Sequence, residues 1–367
     1  MNYKVLVDKN IKELIQNKKI KSYINVDLNE YLQPASLDIP VSNIAYLVKF
    51  KFIPFKRKVE EIIESIKLDE INLDNNPILF KGQTYLIPCL KIEDLQSNIN
   101  NKTNKNKKII AKISPKSSIG RIDVMVRAIT NKSCFYDYIK DLNDDILWLE
   151  VTPQSFNIRL KTGISLSQLM FLEESEDKVD IKKNQLLFDC EENLKDNFTN
   201  EDDEIVLNIE IPDKKIIGYV ARKTNDVIDL SKTNYLDKNI FFEEIKNYGT
   251  NHNKIILEKD KFYILRTKDF IQIPPEFSGE MLPLNNIFGE FRVHYAGFFD
   301  PGFGYNMKGN QGVLEIRPHE DLMIYDNQPI CTMKFYKNKD VPNKIYGQSN
   351  NNYSKQKDIK LSKYFMN

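Results

Sequence analysis

The strongest constraint on the fold is a repeat within the chain. Residues 149–153 read Leu-Glu-Val-Thr-Pro, and residues 314–318 read Leu-Glu-Ile-Arg-Pro. An apolar segment with strand character follows each copy, at residues 167–171 and residues 331–335. A duplication of this length predicts two related domains, since solenoid repeats are much shorter.

Short segments with strand character dominate the rest of the chain, and Gly, Pro, Asn or Asp bound most of them. Examples are residues 44–48, 83–87, 146–151 and 155–160. Helical spacing of apolar residues predicts short helices at residues 9–21 and 59–66. We therefore predict a mainly β protein with an N-terminal domain at residues 1–212 and a C-terminal domain at residues 213–367.

Composition narrows the possible partners. The chain has 53 Lys and Arg residues against 52 Asp and Glu residues, so any anion-binding site must be local. No apolar run approaches the length of about 18 residues that a membrane helix needs. The four cysteines form no CxxC pair, which argues against a zinc ribbon. We expect a cytoplasmic protein that binds neither nucleic acid nor membrane.

A tight turn at Asp300-Pro301-Gly302 predicts a β-hairpin, because Pro presets φ and Gly accepts a positive φ. Glu315 follows on the return strand, between two apolar residues. If that carboxylate is buried, its pKa rises, as a general base near neutral pH requires. Two alternatives stay open: Glu315 could be exposed to solvent, and Asp300 could do no more than cap the turn. Glu150 lies between two apolar residues in the first repeat, as Glu315 does in the second.

A second group of polar residues lies in a single loop. Lys116, Ser117, Ser118, Gly120 and Arg121 combine hydroxyls, a glycine and cations. Hydroxyls and turn N–H groups can surround phosphate oxygens, and arginine adds a charge-assisted contact. The loop is therefore a candidate phosphate site, with an ordinary surface loop as the alternative.

Two further segments carry polar residues of interest. Asp38 interrupts an apolar alternation, which indicates a buried, paired carboxylate. The last 30 residues are polar and predict a mobile tail, in which Tyr353 and Gln356 could close over a ligand.

Together, residues 33–38, residues 115–124 and residues 289–304 with Glu315 resemble the long, duplicated form of the dCTP deaminase family, within the dUTPase-like superfamily. The resemblance spans nearly the whole chain. It implies two dUTPase-like β-clip domains in tandem, each a distorted jelly-roll barrel. It also implies a homo-oligomer with a trimer-like assembly of barrels.

The same resemblance implies hydrolytic deamination of dCTP to dUTP and ammonia without zinc. The H-x-E…P-C-x-x-C signature of zinc deaminases is absent from the sequence. Glu315, Ser117 and Arg121 would be catalytic, and Mg²⁺ would bind through the triphosphate with no protein ligand. The substrate-binding residues would be Lys116, Ser118, His294, Tyr295, Ala296, Asp300, Tyr353 and Gln356.

Each half lacks what the other keeps. Residues 129–137 of the first half contain no Asp-Pro-Gly, and residues 283–287 stand where the second half should carry its phosphate loop. We therefore predict one composite site, with phosphates held by the first half and the nucleoside by the second.

Two other functions remain open at this stage. A dUTP diphosphatase, alone or combined with deaminase activity, would use an Asp such as Asp300 to activate water at the α-phosphate. The second possible function is that of a non-catalytic regulator that has the same fold and binds nucleotides.

Overall fold

The structure is a computed structural model. It describes residues 2–93, 95, 108–140, 145–176, 187–188, 204–212, 216–246, 253–284, 291–294, 297–305, 308–348 and 359–366. For residues 2, 187–188 and 291–294 only the backbone is described. In this part of the chain, no helix is long and apolar enough to cross a membrane.

The first half is built from two antiparallel sheets. Its strands are β1 (Asn2–Val5), β2 (Ile20–Ser22), β3 (Leu37–Pro40), β4 (Ile44–Val48), β5 (Lys67–Asn72), β6 (Ile78–Leu79), β7 (Thr84–Ile92), β8 (Ile109–Pro115), β9 (Val124–Ile129), β10 (Tyr138–Ile139), β11 (Asp145–Pro153), β12 (Asn157–Arg159) and β13 (Ser165–Ser175). Its helices are α1 (Asp8–Gln16), α2 (Val59–Ile66) and α3 (Ser117–Gly120), with 3-10 turns at Leu28–Tyr31 and Leu73–Asn75. One sheet has the order β1-β13-β8-β10 and the other β5-β4-β7-β11-β9, and a buried apolar core includes side chains of both.

The second half repeats this plan. Its strands are β14 (Leu187–Phe188), β15 (Glu204–Asn208), β16 (Ile216–Ala221), β17 (Val227–Asp229), β18 (Phe242–Lys246), β19 (Lys254–Leu257), β20 (Tyr263–Ile271), β21 (Phe277–Pro283), β22 (Phe291–His294), β23 (Phe298–Phe299), β24 (Asn310–Pro318), β25 (Leu322–Tyr325) and β26 (Pro329–Lys337), and α4 is Lys238–Phe241. Its main sheets have the orders β18-β16-β20-β24-β22 and β15-β26-β21-β23, around a second apolar core. The predicted mainly β fold is confirmed.

The two halves share one strand register. β11 pairs with β7 and places Glu150 opposite Leu86, while β24 pairs with β20 and places Glu315 opposite Ile264. Because one residue of slip would move every side chain to the other face, this match fixes Glu150 and Glu315 as equivalent positions.

A matching hydrogen bond supports the duplication. The Tyr85 hydroxyl accepts the N–H of Phe80 at 2.9 Å, and the Tyr263 hydroxyl accepts the N–H of Glu258 at 2.8 Å. Each acceptor therefore lies five residues after its donor, at corresponding places in the two barrels. The repeat inferred from short sequence matches is thus a repeat of structure.

The boundary between the halves lies earlier than the sequence suggests. Strand β15 was expected in the N-terminal domain at residues 1–212, but it pairs with β26 of the second half. In the opposite direction, β17 pairs in parallel with β12 of the first half. Sheet membership places the junction before residue 204, a result of long-range pairing that local composition does not reveal.

One predicted helix is confirmed, and the other is shorter than predicted. The segment at residues 59–66 forms α2 as expected. The helix expected at residues 9–21 ends at Gln16, because Lys18 has a φ of 59° and Ile20 begins β2. The left-handed residue turns the chain so that Ile20 joins the sheet.

A buried ion pair joins the halves. Asp123 of the first half is 0% exposed and pairs with Arg317 of the second half. Ser155 donates to the same Asp123 carboxylate at 2.6 Å and lies 3.0 Å from the Arg317 guanidinium. A buried charge needs a partner of this kind, because low-dielectric surroundings disfavour an uncompensated carboxylate.

A second polar cluster lies across the same interface between the two halves, which we call the seam. Lys112 of the first half contacts the Glu280 carboxylate at 2.6 Å and the Tyr336 hydroxyl at 3.1 Å. Tyr336 also donates to Glu280 at 2.7 Å. These bonds and the Asp123–Arg317 pair fix how the two barrels meet.

Replacing Arg317 should destabilise the chain strongly. Arg317→Ala leaves the Asp123 charge buried without this guanidinium, which we expect to cost about 3 kcal/mol of unfolding free energy. Denaturant titration followed by circular dichroism measures the loss. Lys261→Ala removes an exposed pair with Glu258 and serves as the control, with an expected cost below about 1 kcal/mol. Equal losses in both variants would show that the Asp123–Arg317 pair does not secure the seam.

Candidate active site

The candidate phosphate loop begins where β8 ends. Lys116 is extended, with φ −70° and ψ 144°, and the chain then turns into the four-residue helix α3. Gly120 and Arg121 donate backbone N–H groups to the carbonyls of Lys116 and Ser117 at 3.0 and 3.1 Å. Ser118 and Arg121 are buried, so the loop is part of the packed interior of the seam.

The Glu315 carboxylate lies directly against this loop. Glu315 is 2% exposed. A Cβ added to Gly120 would lie 2.6 Å from the Glu315 carboxyl carbon and 2.8 Å from Oε1, which real Cβ atoms essentially never do. Only glycine, which has no Cβ, leaves room at position 120 for the carboxylate to approach the backbone. The structure brings together two predicted site elements, one from each half.

Asp300 meets the first half at a neighbouring point of the seam. It follows β23, and its carboxylate accepts a hydrogen bond from the backbone N–H of Ala35. Burial raises the pKa of Asp300 to about 7, and the nearby Asp38 carboxylate adds to this rise, whereas Lys116 opposes it. A carboxyl with this pKa changes charge near neutral pH.

Asp38 is the buried, paired carboxylate that the sequence predicted. It is 5% exposed and forms an ion pair with Lys116. The Gln33 side-chain amide also donates to Asp38 at 3.1 Å. The early segment of the chain, the phosphate loop and the Asp300 turn therefore share one polar cluster.

The end of the chain packs on the phosphate loop. Arg121 donates to the carbonyl oxygen of Lys360, and the Ser362 hydroxyl donates to the carbonyl of Ser118, both at 2.6 Å. Phe365 is 4% exposed and packs edge-on against the ring of Phe241. Residues 359–366 were expected in a mobile tail, and the structure instead packs them on the core, because aromatic residues among the polar ones provide an apolar anchor.

Positive charge is concentrated beside the loop. Lys363 lies near Lys116, and burial together with this neighbouring ammonium lowers the pKa of Lys363. Arg121 adds a guanidinium that is 6% exposed. Sequence reasoning missed Lys363 and Ser362, because only the folding back of the chain end brings them to the loop.

Several predicted substrate-binding residues cannot be located in detail. The backbone of His294 pairs with Glu315 across β22 and β24, and its side chain is not described. Tyr295, Ala296, Tyr353 and Gln356 lie outside the described residues.

Glu150, the counterpart of Glu315, has different surroundings. Its carboxylate accepts hydrogen bonds from the Tyr136 hydroxyl at 3.2 Å and from the backbone N–H of Phe52. Burial raises the pKa of Glu150, and the Lys51 ammonium and these two bonds oppose the rise. Glu150 thus ties its barrel to the segment that contains Phe52.

The equivalent strands of the two halves also show where the first half has its counterpart of the Asp300 turn. Tyr138 on β10 lies opposite Lys112, and Phe298 on β23 lies opposite Glu280, at matching places in the two barrels. The turn that corresponds to Asp300 therefore begins at Lys140, not within residues 129–137 as the sequence suggested. Short sequence matches could not fix this alignment, since the loops between the paired strands differ in length.

Two antiparallel β domains that bring a loop of one copy against a strand of the other define the class of protein. The loop of one copy supplies hydroxyls and cations, and a strand of the other supplies a buried carboxylate. This combination is typical of a duplicated nucleotide-binding enzyme of the dUTPase-like class.

Comparison with known proteins identifies the family. The model of the 2'-deoxycytidine 5'-triphosphate deaminase N-terminal domain matches residues 2–175, and that of the C-terminal domain matches residues 174–365. The chain belongs to the dCTP deaminase family. A similar solved structure is 2'-deoxycytidine 5'-triphosphate deaminase from Agrobacterium tumefaciens, with a TM-score of 0.76, 29% identity, and coverage of 91% of this chain and 99% of that chain. No curated protein sequence matches significantly.

These matches confirm the dUTPase-like β-clip fold and the activity predicted from the sequence. The protein is an enzyme that deaminates dCTP. A purely regulatory role receives no support from this assignment.

Gly120→Ala should lower the rate of deamination about 100-fold or more, because the added Cβ must push the Glu315 carboxylate away from the loop. Ammonia release at saturating dCTP measures the rate. Gly82→Ala is the control: its φ of 80° strains an alanine, but an added Cβ has no neighbour within 4 Å. We expect Gly82→Ala to lose stability and keep its turnover. Unchanged turnover in Gly120→Ala would refute the importance of the close approach.

Asp300 should make stability depend on pH. Its pKa is about 7 in the folded chain against an ordinary value of 3.8, so the folded state binds more protons between these values. The stability contributed by this carboxyl is present below about pH 4 and lost as the pH rises through about 7.

Asp300→Asn cannot ionise. We therefore expect the unfolding free energy of Asp300→Asn, relative to that of the wild type, to be higher at about pH 8 than at about pH 5. Urea denaturation at both pH values tests this. An identical difference at both would contradict the raised pKa.

Proposed function

We propose that Glu315 is the general base of dCTP deamination and that the loop at residues 116–121 binds the triphosphate. The supporting observation is the approach of the Glu315 carboxylate to Gly120. A substrate whose phosphates contact this loop would have its base close to that carboxylate. One composite site per chain follows, built from both halves.

In this proposal, Glu315 accepts a proton from a water molecule that attacks C4 of the cytosine ring. The C4–N bond then breaks, the amino group leaves as ammonia after taking up a proton, and a carbonyl forms at C4. Glu315 is 2% exposed, so a water molecule beside it would be shielded from bulk solvent. Ser117 and Arg121 act beside it, where their hydroxyl and guanidinium can orient the water and the carboxylate.

Phosphate recognition rests on Lys116, Ser118 and Arg121. Ammonium, hydroxyl and guanidinium groups suit phosphate oxygens, and backbone N–H groups of the turn can add to them. Mg²⁺ prefers oxygen ligands and commonly binds through substrate phosphates. The loop offers no carboxylate of its own, so its chemistry fits a Mg²⁺ ion that is carried by the triphosphate and neutralises its charge.

The choice of Glu315 over Glu150 follows from their neighbours. Glu150 is engaged by the Tyr136 hydroxyl and the Phe52 N–H of its own half. Glu315 instead abuts the glycine of a cationic loop from the other half. A base must reach the reacting water, and the second environment suits that requirement better.

A bifunctional enzyme that also releases pyrophosphate is the second candidate. Asp300 carries this possibility, because a carboxyl with a pKa of about 7 can accept a proton from water near neutral pH. Its contact with the Ala35 N–H and its proximity to Asp38 favour a role in positioning the substrate instead. A cytoplasmic homo-oligomer with a trimer-like barrel arrangement remains a prediction.

Glu315→Gln should abolish ammonia release from dCTP, with a loss of about 100-fold or more, because the amide cannot take the proton. Glu150→Gln is the matched control at the equivalent register position and should retain most activity. Ammonia and pyrophosphate are measured together in the wild type and both variants.

Ammonia without pyrophosphate in the wild type identifies a deaminase alone, and both products identify a bifunctional enzyme. Full activity in Glu315→Gln with activity lost in Glu150→Gln would overturn the assignment of the base.

A further inference from the structure

A cavity of about 480 Å³ lies in the first half, outside the composite site. It is formed by the loop between β9 and β10 and by the residues just before α2. This volume lies within the range of small-molecule pockets. Its position corresponds to the Asp300 hairpin of the second half, because β10 and β23 are equivalent strands.

Three lysines line the cavity. Lys140 occupies the position equivalent to Asp300, and Lys58 and Lys132 line the same space. No ion pair involves these three lysines within the described ranges. Ammonium groups that share one cavity repel each other, and an anion between them would offset that repulsion.

An acidic residue of the lining is already committed to the local fold. Asp145 accepts the backbone N–H of Ile146 at 2.7 Å and is also hydrogen-bonded to Asn131. Burial raises the pKa of Asp145 to about 6, so this carboxyl still ionises near neutral pH, and the three lysines outnumber it in the lining.

Aromatic rings stand beside the lysines. Phe135 is 52% exposed, and its ring meets the Tyr138 ring edge-on at 6.4 Å. The Lys140 ammonium lies 5.2 Å from the Phe135 ring centre and 5.4 Å from that of Tyr138. An exposed ring beside cations is the arrangement that stacks a nucleobase while its phosphates are neutralised.

The loop is held rigidly for such a role. Lys132 has a φ of 60°, and its N–H bonds to the carbonyl of Arg57 at 2.9 Å. Asn131 accepts the N–H of Val59 at 2.6 Å. These bonds fix the lysine-bearing loop before any ligand arrives, which lowers the entropic cost of binding.

We propose that this cavity is a second nucleotide site, which binds a nucleoside phosphate through Lys58, Lys132 and Lys140 and stacks its base on Phe135. The shared chemistry is a base with attached phosphate, whether in a free nucleotide or in single-stranded nucleic acid. The site is separate from the catalytic residues and does not depend on the assignment of Glu315.

Equilibrium dialysis with ATP tests the proposal in four forms of the full chain: wild type, Arg121→Ala, Lys132→Asn with Lys140→Ala, and Lys91→Ala. Asn is used at position 132 because it tolerates a positive φ. Lys91 is an exposed lysine that lies over the Tyr23 ring at 5.5 Å and serves as the matched control. We expect ATP binding to survive Arg121→Ala and Lys91→Ala.

The double lysine variant should bind ATP about 100-fold more weakly, since each of the two lost charge-assisted bonds is worth about tenfold. Its deamination rate should be unchanged, which shows that it folds. Unchanged ATP affinity in this variant, or loss of all ATP binding in Arg121→Ala, would overturn the proposal.

Two comparisons test recognition of the base: ATP binding to Phe135→Ala against the wild type, and binding of inorganic triphosphate against ATP. Weaker ATP binding in Phe135→Ala supports stacking, whereas equal affinity for ATP and inorganic triphosphate would refute it. A short oligothymidylate distinguishes the two sources: tighter binding than ATP favours single-stranded nucleic acid, and weaker binding favours a free nucleotide.

Discussion

The approach of the Glu315 carboxylate to the Gly120 backbone is the constraint on which the site depends. The carboxylate belongs to a strand of one barrel and the glycine to a loop of the other, so their distance is set by how the barrels dock. Two residues beyond Glu315, Arg317 pairs with the fully buried Asp123, which lies three residues beyond Gly120. The ion pair thus holds the same two segments that form the proposed site.

Charge at the seam has two consequences. Asp38, Lys116 and Asp300 share one partly buried cluster, which couples the protonation of Asp300 to its surroundings. Lys363 and Arg121 add positive charge beside the same loop.

The duplication explains why equivalent residues have different roles. Glu150 and Glu315 occupy the same register position, but Glu150 is hydrogen-bonded within its own half. Lys140 stands where the second half has Asp300. If the proposed composite site supplies the activity, the counterpart positions are free to serve packing or to bind another ligand.

The sequence by itself determined the β class, the duplication and helix α2, and it singled out the candidate site elements with distinctive chemistry, namely the Ser117–Arg121 loop, Asp38, Asp300 and Glu315. These features are local, because periodicity, turn residues and motif spacing are written in consecutive positions. Only the tertiary structure decided the junction of the halves, the packing of residues 359–366 and the different surroundings of Glu315 and Glu150. Each of these depends on contacts between residues far apart in the chain, and two identical local patterns differ only in what the fold places beside them.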